Sequence, residues 1–184
     1  MKKQSGFSLI ELVVVIVIVG LLAAVALPKF LQVADEAKKA SIEGVAGGFA
    51  TAVLSARAQW EAEGRPTNAG GENVVSYDGV DFLLTQAVMS GTSTGFRDGY
   101  PIAVNDSRAG ATVTSVTADA CLSLMQELLQ SPPATVLATE DSNDAKYTAG
   151  LVSGSDSACL YSQVGSEHTF TYSIPSGRVA VQLK

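Results

Sequence analysis

The residue with the most unusual chemistry in this sequence is Glu11, because it lies inside an apolar segment. Residues 7–27 contain no other charge, and Pro28 follows them directly. A carboxylate placed within a bilayer is costly on every transfer scale. Glu11 therefore needs a partner that offsets this cost, or a position near enough to a helix end for its side chain to reach water.

The rest of the sequence offers few groups for catalysis. His168 is the single histidine, which leaves little for a histidine-based metal cluster or a Ser-His-Asp triad, and we expect it to be structural or exposed. Residues 140–144 (Glu-Asp-Ser-Asn-Asp) carry oxygen ligands of the kind that calcium prefers, although such a stretch is more often simply solvated. No phosphate-binding glycine loop occurs, so we expect any ATP-driven step to be carried out by a separate protein. We predict a non-enzymatic protein with no catalytic residue, cofactor or metal site, and calcium at residues 140–144 stays an open alternative.

The charge balance argues against general nucleic-acid binding. The chain has 184 residues, with 12 basic and 18 acidic side chains and a net charge of −6. A nucleic-acid-binding protein usually presents a basic face. A local patch from Arg97, Arg108 and Lys146 is the remaining way in which such binding could arise.

Two cysteines, Cys121 and Cys159, are candidates for a covalent bond. An even count in a chain that crosses a membrane favours a disulfide formed in an oxidising compartment. Two buried free thiols are the alternative. A bond between them would close a loop of about 39 residues, which the chain-entropy account values near 4 kcal/mol.

The element that must position Glu11 is a long amino-terminal helix over residues 7–63. Residues 7–27 would span about 32 Å as a helix, close to the thickness of a bilayer core. Lys2 and Lys3 precede this segment and should stay cytoplasmic. A cleaved secretory signal is the alternative, but Glu11 lies in its apolar region and the helical rhythm continues past Pro28 to Trp60.

Beyond Pro28 the helix becomes amphipathic and should pack on a globular domain. Apolar and small residues recur there at steps of three and four, which is typical of one buried helix face. Pro28 removes a helical hydrogen bond and Gly20 lowers helix propensity, so the helix should be kinked or loosened between them. The residues of the predicted buried face are Phe30, Ala34, Ala37, Ser41, Val45, Phe49, Ala52, Ala56 and Trp60.

The globular part, residues 64–184, begins with a strong hairpin signal. Val74–Tyr77 and Val80–Leu84 flank Asp78-Gly79, which suits a type I′ turn. A helix over residues 81–89 is the alternative. Residues 90–99 are polar and glycine-rich, which predicts an exposed loop.

A second helix and three strands are predicted further on. Residues 117–130 favour a helix capped by Thr117, with Cys121 on its apolar face. Residues 158–164, 168–174 and 178–183 favour three antiparallel strands. The apolar residues alternate along the last two of these strands, as a half-buried sheet requires, and Pro175-Ser176-Gly177 forms the turn between them. Cys159 would lie on the first strand.

The amino-terminal residues resemble a known signal. Gly6-Phe7-Ser8-Leu9-Ile10-Glu11-Leu12-Val13 is similar to the class III signal of type IV prepilins. The resemblance implies that a membrane aspartyl peptidase, the prepilin peptidase, cuts between Gly6 and Phe7 and methylates the new amino terminus of Phe7. Ser8 stands where the family more often has threonine.

The resemblance also implies a fold and a domain organisation. The fold class would be α+β, with the long helix packed on an antiparallel β-sheet domain. The domains would be a leader (1–6), a transmembrane or filament-core helix (7–28), the amphipathic half of that helix (29–63) and a globular head with a disulfide (64–184). The stretch from Gly20 to Pro28 would loosen in assembled filaments.

The implied function is that of a structural filament subunit. Glu11 would meet the free amine of a neighbouring subunit's Phe7, after export of a precursor from the bacterial inner membrane to an extracellular filament. The partners would be other pilin subunits, the prepilin peptidase, an inner-membrane assembly platform and the membrane itself, with no nucleic acid.

The later part of the chain suggests a finer subtype. Gly99-Tyr100-Pro101, a second helix, and one cysteine in that helix with another in a later strand are similar to the mannose-sensitive haemagglutinin (MSHA) branch of type IVa pilins. This similarity implies a major pilin for surface attachment and adhesion. It also implies that a Cys121–Cys159 disulfide joins the second helix to the later strand. A minor pilin or a type II secretion pseudopilin is the second hypothesis, and a DNA-binding competence pilin is the third.

Overall fold

The computed structural model describes residues 7–105 and 110–184. The chain divides into two units, Met1–Ala40 and Ser41–Lys184, and we call the second unit the head. The first helix, α1 (Leu9–Ala62), supplies most of the described part of the first unit and the first element of the head. The long amino-terminal helix predicted for residues 7–63 is thereby confirmed.

Within the head, one face of α1 forms part of the hydrophobic core. The predicted face is correct from Phe49 onward, but Ile42 and Ala46 are buried in place of Ser41 and Val45. The prediction is also wrong for Phe30, Ala34 and Ala37, none of which is buried. The predicted face took three successive steps of four residues from Ala37 to Phe49, which drift from the 3.6-residue turn, whereas the buried residues advance by a mixture of four and three. The buried residues of α1 are Ile42, Ala46, Phe49, Ala52, Val53, Ala56 and Trp60.

A three-stranded antiparallel sheet follows α1. Its order is β1 (Val74–Tyr77), β2 (Val80–Leu84), then β5 (Pro101–Val104). Asp78 and Gly79 both have positive φ, 51° and 82°, as a type I′ turn requires. The predicted hairpin is confirmed, and the alternative helix over residues 81–89 is wrong. Strand β5 was not predicted, because four residues that begin with proline give little strand signal.

Between β2 and β5 the chain forms a short exposed hairpin. Its strands are β3 (Val88–Met89) and β4 (Thr92–Ser93), so the loop predicted over residues 90–99 is wrong in its first part. The hairpin is exposed, as predicted. The carboxylate of Asp98 accepts a hydrogen bond from the backbone N–H of Ala87 at 2.6 Å and so fixes its base.

The second helix, α2 (Ala118–Glu127), confirms the predicted helix and its cap. The Thr117 hydroxyl oxygen accepts a hydrogen bond from the backbone N–H of Ala120 at 3.2 Å. The helix ends earlier than the predicted Gln130. Its buried residues are Ala120, Cys121, Leu124 and Met125.

The last part of the chain forms a five-stranded sheet. The three predicted strands are confirmed, but two strands before them were missed. One of these, β6 (Thr135–Leu137), pairs in parallel with the other, β7 (Tyr147–Leu151), so the sheet is antiparallel except at that edge. In sheet order the strands are β10 (Arg178–Gln182), β9 (Thr169–Ser173), β8 (Ala158–Gln163), β7 (Tyr147–Leu151) and β6 (Thr135–Leu137).

The edge strand β10 corrects one further expectation. Its alternating apolar residues were expected to be half-buried, yet Val181 is 36% exposed and Leu183, just after the strand, is 42% exposed. The physical reason is position. An edge strand has a neighbour on one side only, and the ring of Phe49 from α1 packs against rings of β8 and β9.

Aromatic rings join the helices to this sheet. The ring centroid of Phe49 lies 5.4 Å from that of Tyr161 and 5.3 Å from that of Tyr172. The Tyr161 hydroxyl donates to the carbonyl of Cys121 in α2, and the Tyr172 hydroxyl donates to the carbonyl of Pro101 in β5, both at 2.8 Å. Burial raises the pKa of both hydroxyls, which keeps them protonated as donors. The α+β fold with a long helix on an antiparallel sheet is confirmed.

A disulfide reinforces this arrangement. Cys121 of α2 and Cys159 of β8 are bonded, with an S–S distance of 2.02 Å. Both side chains are fully buried. The alternative of two free thiols is therefore wrong, and α2 is covalently tied to the centre of the five-stranded sheet.

Gly177→Ala is expected to destabilise the head by about 2–4 kcal/mol. Gly177 lies in the turn between β9 and β10 with φ of 68°, and a Cβ there would overlap the ring of Tyr100. That ring is buried, lies 4.7 Å from the guanidinium carbon of Arg57, and cannot retreat freely. Urea unfolding followed by the fluorescence of Trp60, the only tryptophan, measures the loss.

Gly79→Ala is the matched control for this substitution. Its φ is 82°, and a Cβ there meets nothing within 4 Å. This control substitution should lower the free energy of unfolding only by the cost of placing alanine in the left-handed region, about 1–2 kcal/mol. Equal destabilisation by the two substitutions would contradict the steric role assigned to Tyr100.

Candidate functional site

The start of α1 holds Glu11 in a specific set of hydrogen bonds. Ser8 precedes the first helical residue and acts as its N-cap. Glu11 Oε2 accepts from the backbone N–H and from the hydroxyl of Ser8, both at 2.8 Å. Ser8 Oγ in turn accepts from the backbone N–H of Glu11 at 3.3 Å. This reciprocal arrangement is a capping box, which satisfies helix donors that would otherwise have no partner.

The capping role of Ser8 was not predicted from the sequence. The Ser-x-x-Glu spacing just before an apolar run was the available signal. Its consequence is chemical. Glu11 has hydrogen-bond donors within its own chain, so this chain by itself can hold the carboxylate in an apolar environment.

The surface around Glu11 is apolar and shallowly concave. A depression of about 300 Å³ is lined by Phe7, Ile10, Glu11, Val14 and Val15. Phe7 itself is 85% exposed. Four apolar side chains around one carboxylate match an apolar partner that brings a positive charge or a hydrogen-bond donor.

The helix that carries this depression is able to cross a membrane. By length and composition α1 could cross a membrane, and its most apolar stretch is exposed throughout. Large apolar side chains are exposed along the whole of this segment. Surface of this extent is stable only in lipid or against other apolar surfaces.

Gly20 and Pro28 lie on this segment, and both are helical. The structure describes residues 20–28 as helical throughout, so this segment contains no locally unfolded stretch. The cause is that Pro28 lacks only one donor, the one that would bond the carbonyl of Ala24, and the hydrogen bonds on either side continue the helix. Loosening of this stretch in a filament stays a prediction.

The predicted processing site is only partly described. Gly6 lies outside the described residues, whereas Phe7 is described and exposed just ahead of Ser8. Ser8 and Glu11 follow the Gly6–Phe7 peptide bond closely in sequence. Cleavage between Gly6 and Phe7, and methylation of Phe7, stay predictions.

The other candidate groups do not form a site in the described part of the chain. Residues 7–105 and 110–184 contain no group of three or more His, Cys, Asp or Glu side chains that could hold a metal ion. In the acidic stretch, Asp141 accepts from the backbone N–H and from the side-chain amide of Asn143, at 3.1 and 2.8 Å. His168 is buried, which agrees with the structural role expected for it.

Arg97 and Lys146, the two described residues of the basic patch considered for nucleic-acid binding, do not form a patch together. The backbone N–H of Arg97 donates to Pro175, at the turn between β9 and β10. The carbonyl of Lys146 accepts from Val164, at the turn between β8 and β9. These turns are at opposite ends of the sheet, and Arg108 lies outside the described residues.

Comparison with known proteins adds information on the amino-terminal segment. Residues 1–27 match the family described as the prokaryotic N-terminal methylation motif. The chain is 42% identical over 65 residues to the type IV narrow pilus major component PilA5 of Thermus thermophilus, a match that covers 35% of this chain and 54% of that protein. It is 36% identical over 78 residues to a fimbrial protein of Moraxella nonliquefaciens, covering 41% of this chain and 51% of that protein.

A third relative has a different description. The chain is 42% identical over 52 residues to the type II secretion system core protein G of Pseudomonas aeruginosa, covering 28% of this chain and 37% of that protein. The chain thus spans about half the length of the first two relatives, and less of the third. No solved structure matches the chain.

Proposed function

We propose that the chain, whose amino-terminal segment is similar to type IV pilins, belongs to that family, is a structural subunit of a pilus filament and polymerises through α1. The observation that carries this proposal is the exposed apolar half of α1, with Glu11 as its one charge. In lipid this surface is covered by acyl chains, and in a filament the same surface of other copies replaces them.

The proposed assembly begins with processing. Prepilin peptidase cuts between Gly6 and Phe7 and methylates the new amine, while the chain sits in the bacterial inner membrane. The amine of Phe7 then carries a positive charge. On an inner-membrane assembly platform, this charge meets the Glu11 carboxylate of a neighbouring subunit within the apolar depression, and the filament becomes extracellular as it grows.

The finer assignment is a major pilin of MSHA type that serves surface attachment and adhesion. Its support is the Gly99-Tyr100-Pro101 sequence together with the cysteine pair that joins α2 to a later strand. A minor pilin or a type II secretion pseudopilin is the second candidate. The likeness of the amino-terminal segment to a secretion core protein favours it.

Mass spectrometry of sheared surface filaments tests this proposal. We expect this chain to be the dominant protein, and its amino-terminal peptide to begin at an N-methylated Phe7. A filament in which the chain is a trace component would support the minor pilin instead. A peptide that begins at Met1, or after the apolar segment, would contradict the processing step.

A further inference from the structure

The hairpin of β3 and β4 carries two apolar side chains that the head leaves uncovered. Val88 is 55% exposed and Met89 is 42% exposed. They are neighbours on one strand, so their side chains lie on opposite faces of the hairpin. All of residues 88–93, which we call the hairpin tip, are exposed, and residues 85–96 contain no charged side chain. The tip is therefore an uncharged, partly apolar projection from an acidic chain.

Hydrogen bonds at its base hold the hairpin to the rest of the head. The carboxylate of Asp98 accepts from the backbone N–H of Ala87, and the carbonyl of Ala87 accepts from the backbone N–H of Thr94 at 2.9 Å. The side-chain amide of Gln86 donates to the carbonyl of Gly71, ahead of β1, at 3.0 Å. A two-stranded hairpin is only marginally stable by itself, so these bonds are what present the tip in one orientation.

The chemistry and size of the tip limit what can cover it. An apolar tip without charge fits an apolar surface, because a charge buried against it would have no partner. A tip that is already held in place loses little conformational freedom on binding. It has six residues, however, whereas a stable interface between separate proteins uses about 20–30 per side. It therefore suits a partner that another contact already holds nearby, at a high effective concentration.

We propose that the hairpin tip docks on the head of a neighbouring copy of this chain. The inference rests on the proposed filament function, in which α1 brings the copies together and supplies the other contact. A tip that docks on a different surface of the next head makes a heterologous contact, which can repeat along a filament instead of closing a dimer. The exposed parts of Val88 and Met89 are then buried in the filament.

Photo-crosslinking of intact filaments tests this contact. Met89→Cys is labelled with a benzophenone maleimide on sheared filaments, and the native cysteines take no label because they are bonded and buried. We expect light to produce a covalent dimer, and mass spectrometry to place the linked peptide in the head of the second copy. The same labelled variant should stay monomeric in detergent micelles. A labelled filament that gives no dimer would overturn the proposal, since the tip would then face solvent or an external surface.

The double substitution of Val88 and Met89 by serine measures what the contact contributes. Filaments should still form through α1, but they should release subunits into mild detergent about tenfold faster, because apolar surface is no longer buried. The head should keep its native urea midpoint, since both side chains are exposed.

The double substitution of Val181 and Leu183 by serine is the matched control. These side chains are 36% and 42% exposed, on and just after edge strand β10 of the same head. This control should release subunits at the native rate. Equal release from the two double variants would overturn the proposal, because any loss of exposed apolar surface would then have the same effect.

The proposed function and the docking of the hairpin fail in different ways. Surface filaments that lack this chain would remove both. Filaments built from this chain that give no crosslink between heads would remove the docking of the hairpin and leave the filament function in place.

Discussion

Filaments are expected to disappear from the cell surface when Glu11 is replaced by alanine, while the variant chain remains in the membrane. The substitution removes the single charge of the apolar depression. An incoming subunit would then bury the Phe7 ammonium with nothing to offset its desolvation, which is among the costliest single changes in a buried pair. Because every added subunit would bear this same desolvation cost, filament number should fall by about a hundredfold or more.

Electron microscopy of surface filaments, with immunoblotting of the membrane fraction, measures this effect. Glu43→Ala is the matched control, since Glu43 is also an exposed glutamate of α1 but lies in the head. It should leave filaments unchanged. Normal filament number and length in Glu11→Ala would remove Glu11 from the assembly mechanism.

Ser8→Ala separates the pairing role of Glu11 from its role in the capping box. It removes the two hydrogen bonds made by the Ser8 hydroxyl and leaves the carboxylate in place. Loss of an N-cap costs about 1 kcal/mol of helix stability. We expect filaments to persist in this variant. Their loss would show that the helix start, and not the charge, is what assembly needs.

Removal of the disulfide is the second change from which we expect a large effect, here on the stability of the head. The double substitution of Cys121 and Cys159 by alanine should lower the free energy of unfolding of the head by about 4 kcal/mol, because the 38-residue separation no longer restricts the unfolded chain. With a typical dependence of the unfolding free energy on urea concentration, this loss lowers the urea midpoint by about 2 M. The fluorescence of Trp60, which is 2% exposed, follows the transition.

The native chain unfolded in the presence of a thiol reductant is the first comparison. Its midpoint should approach that of the double variant, whereas the folded chain should resist reduction because both sulfurs are buried. Ser123→Ala on the same helix is a control that leaves the disulfide intact. A double variant with the midpoint of the native chain would mean that packing, and not the covalent bond, holds α2 to β8.

Several parts of the head follow from local sequence rules. Asp78-Gly79 specifies its hairpin because two consecutive residues with positive φ suit this dipeptide. Thr117 specifies the start of α2 through its own side chain. Strands β8, β9 and β10 could be read from alternation and from the turn at residues 175–177. In each case the information lies within a few residues of the element.

Other parts depend on residues far away in the chain. Strand β6 has three residues, and its parallel partner β7 begins ten residues after it, so neither gives a periodic pattern of its own. Strand β5 exists because β2 offers it a free edge. The exposure of Val181 depends on which strand is the last in the sheet, and that is settled by pairing rather than by the residues of β10.

By itself, the sequence determined the apolar helix with Glu11 as its one charge, and it carries the proposed signal at Gly6-Phe7. These features depend on linear order and helical periodicity, which need no tertiary contact. Only the tertiary structure decided how Glu11 is held by Ser8, which strands flank the disulfide, and that Asp98 holds the base of the β3–β4 hairpin. The physical reason is that a hydrogen bond or a register pairs atoms by their positions in space. Local propensity specifies which elements form, whereas packing of those elements decides which side chains meet.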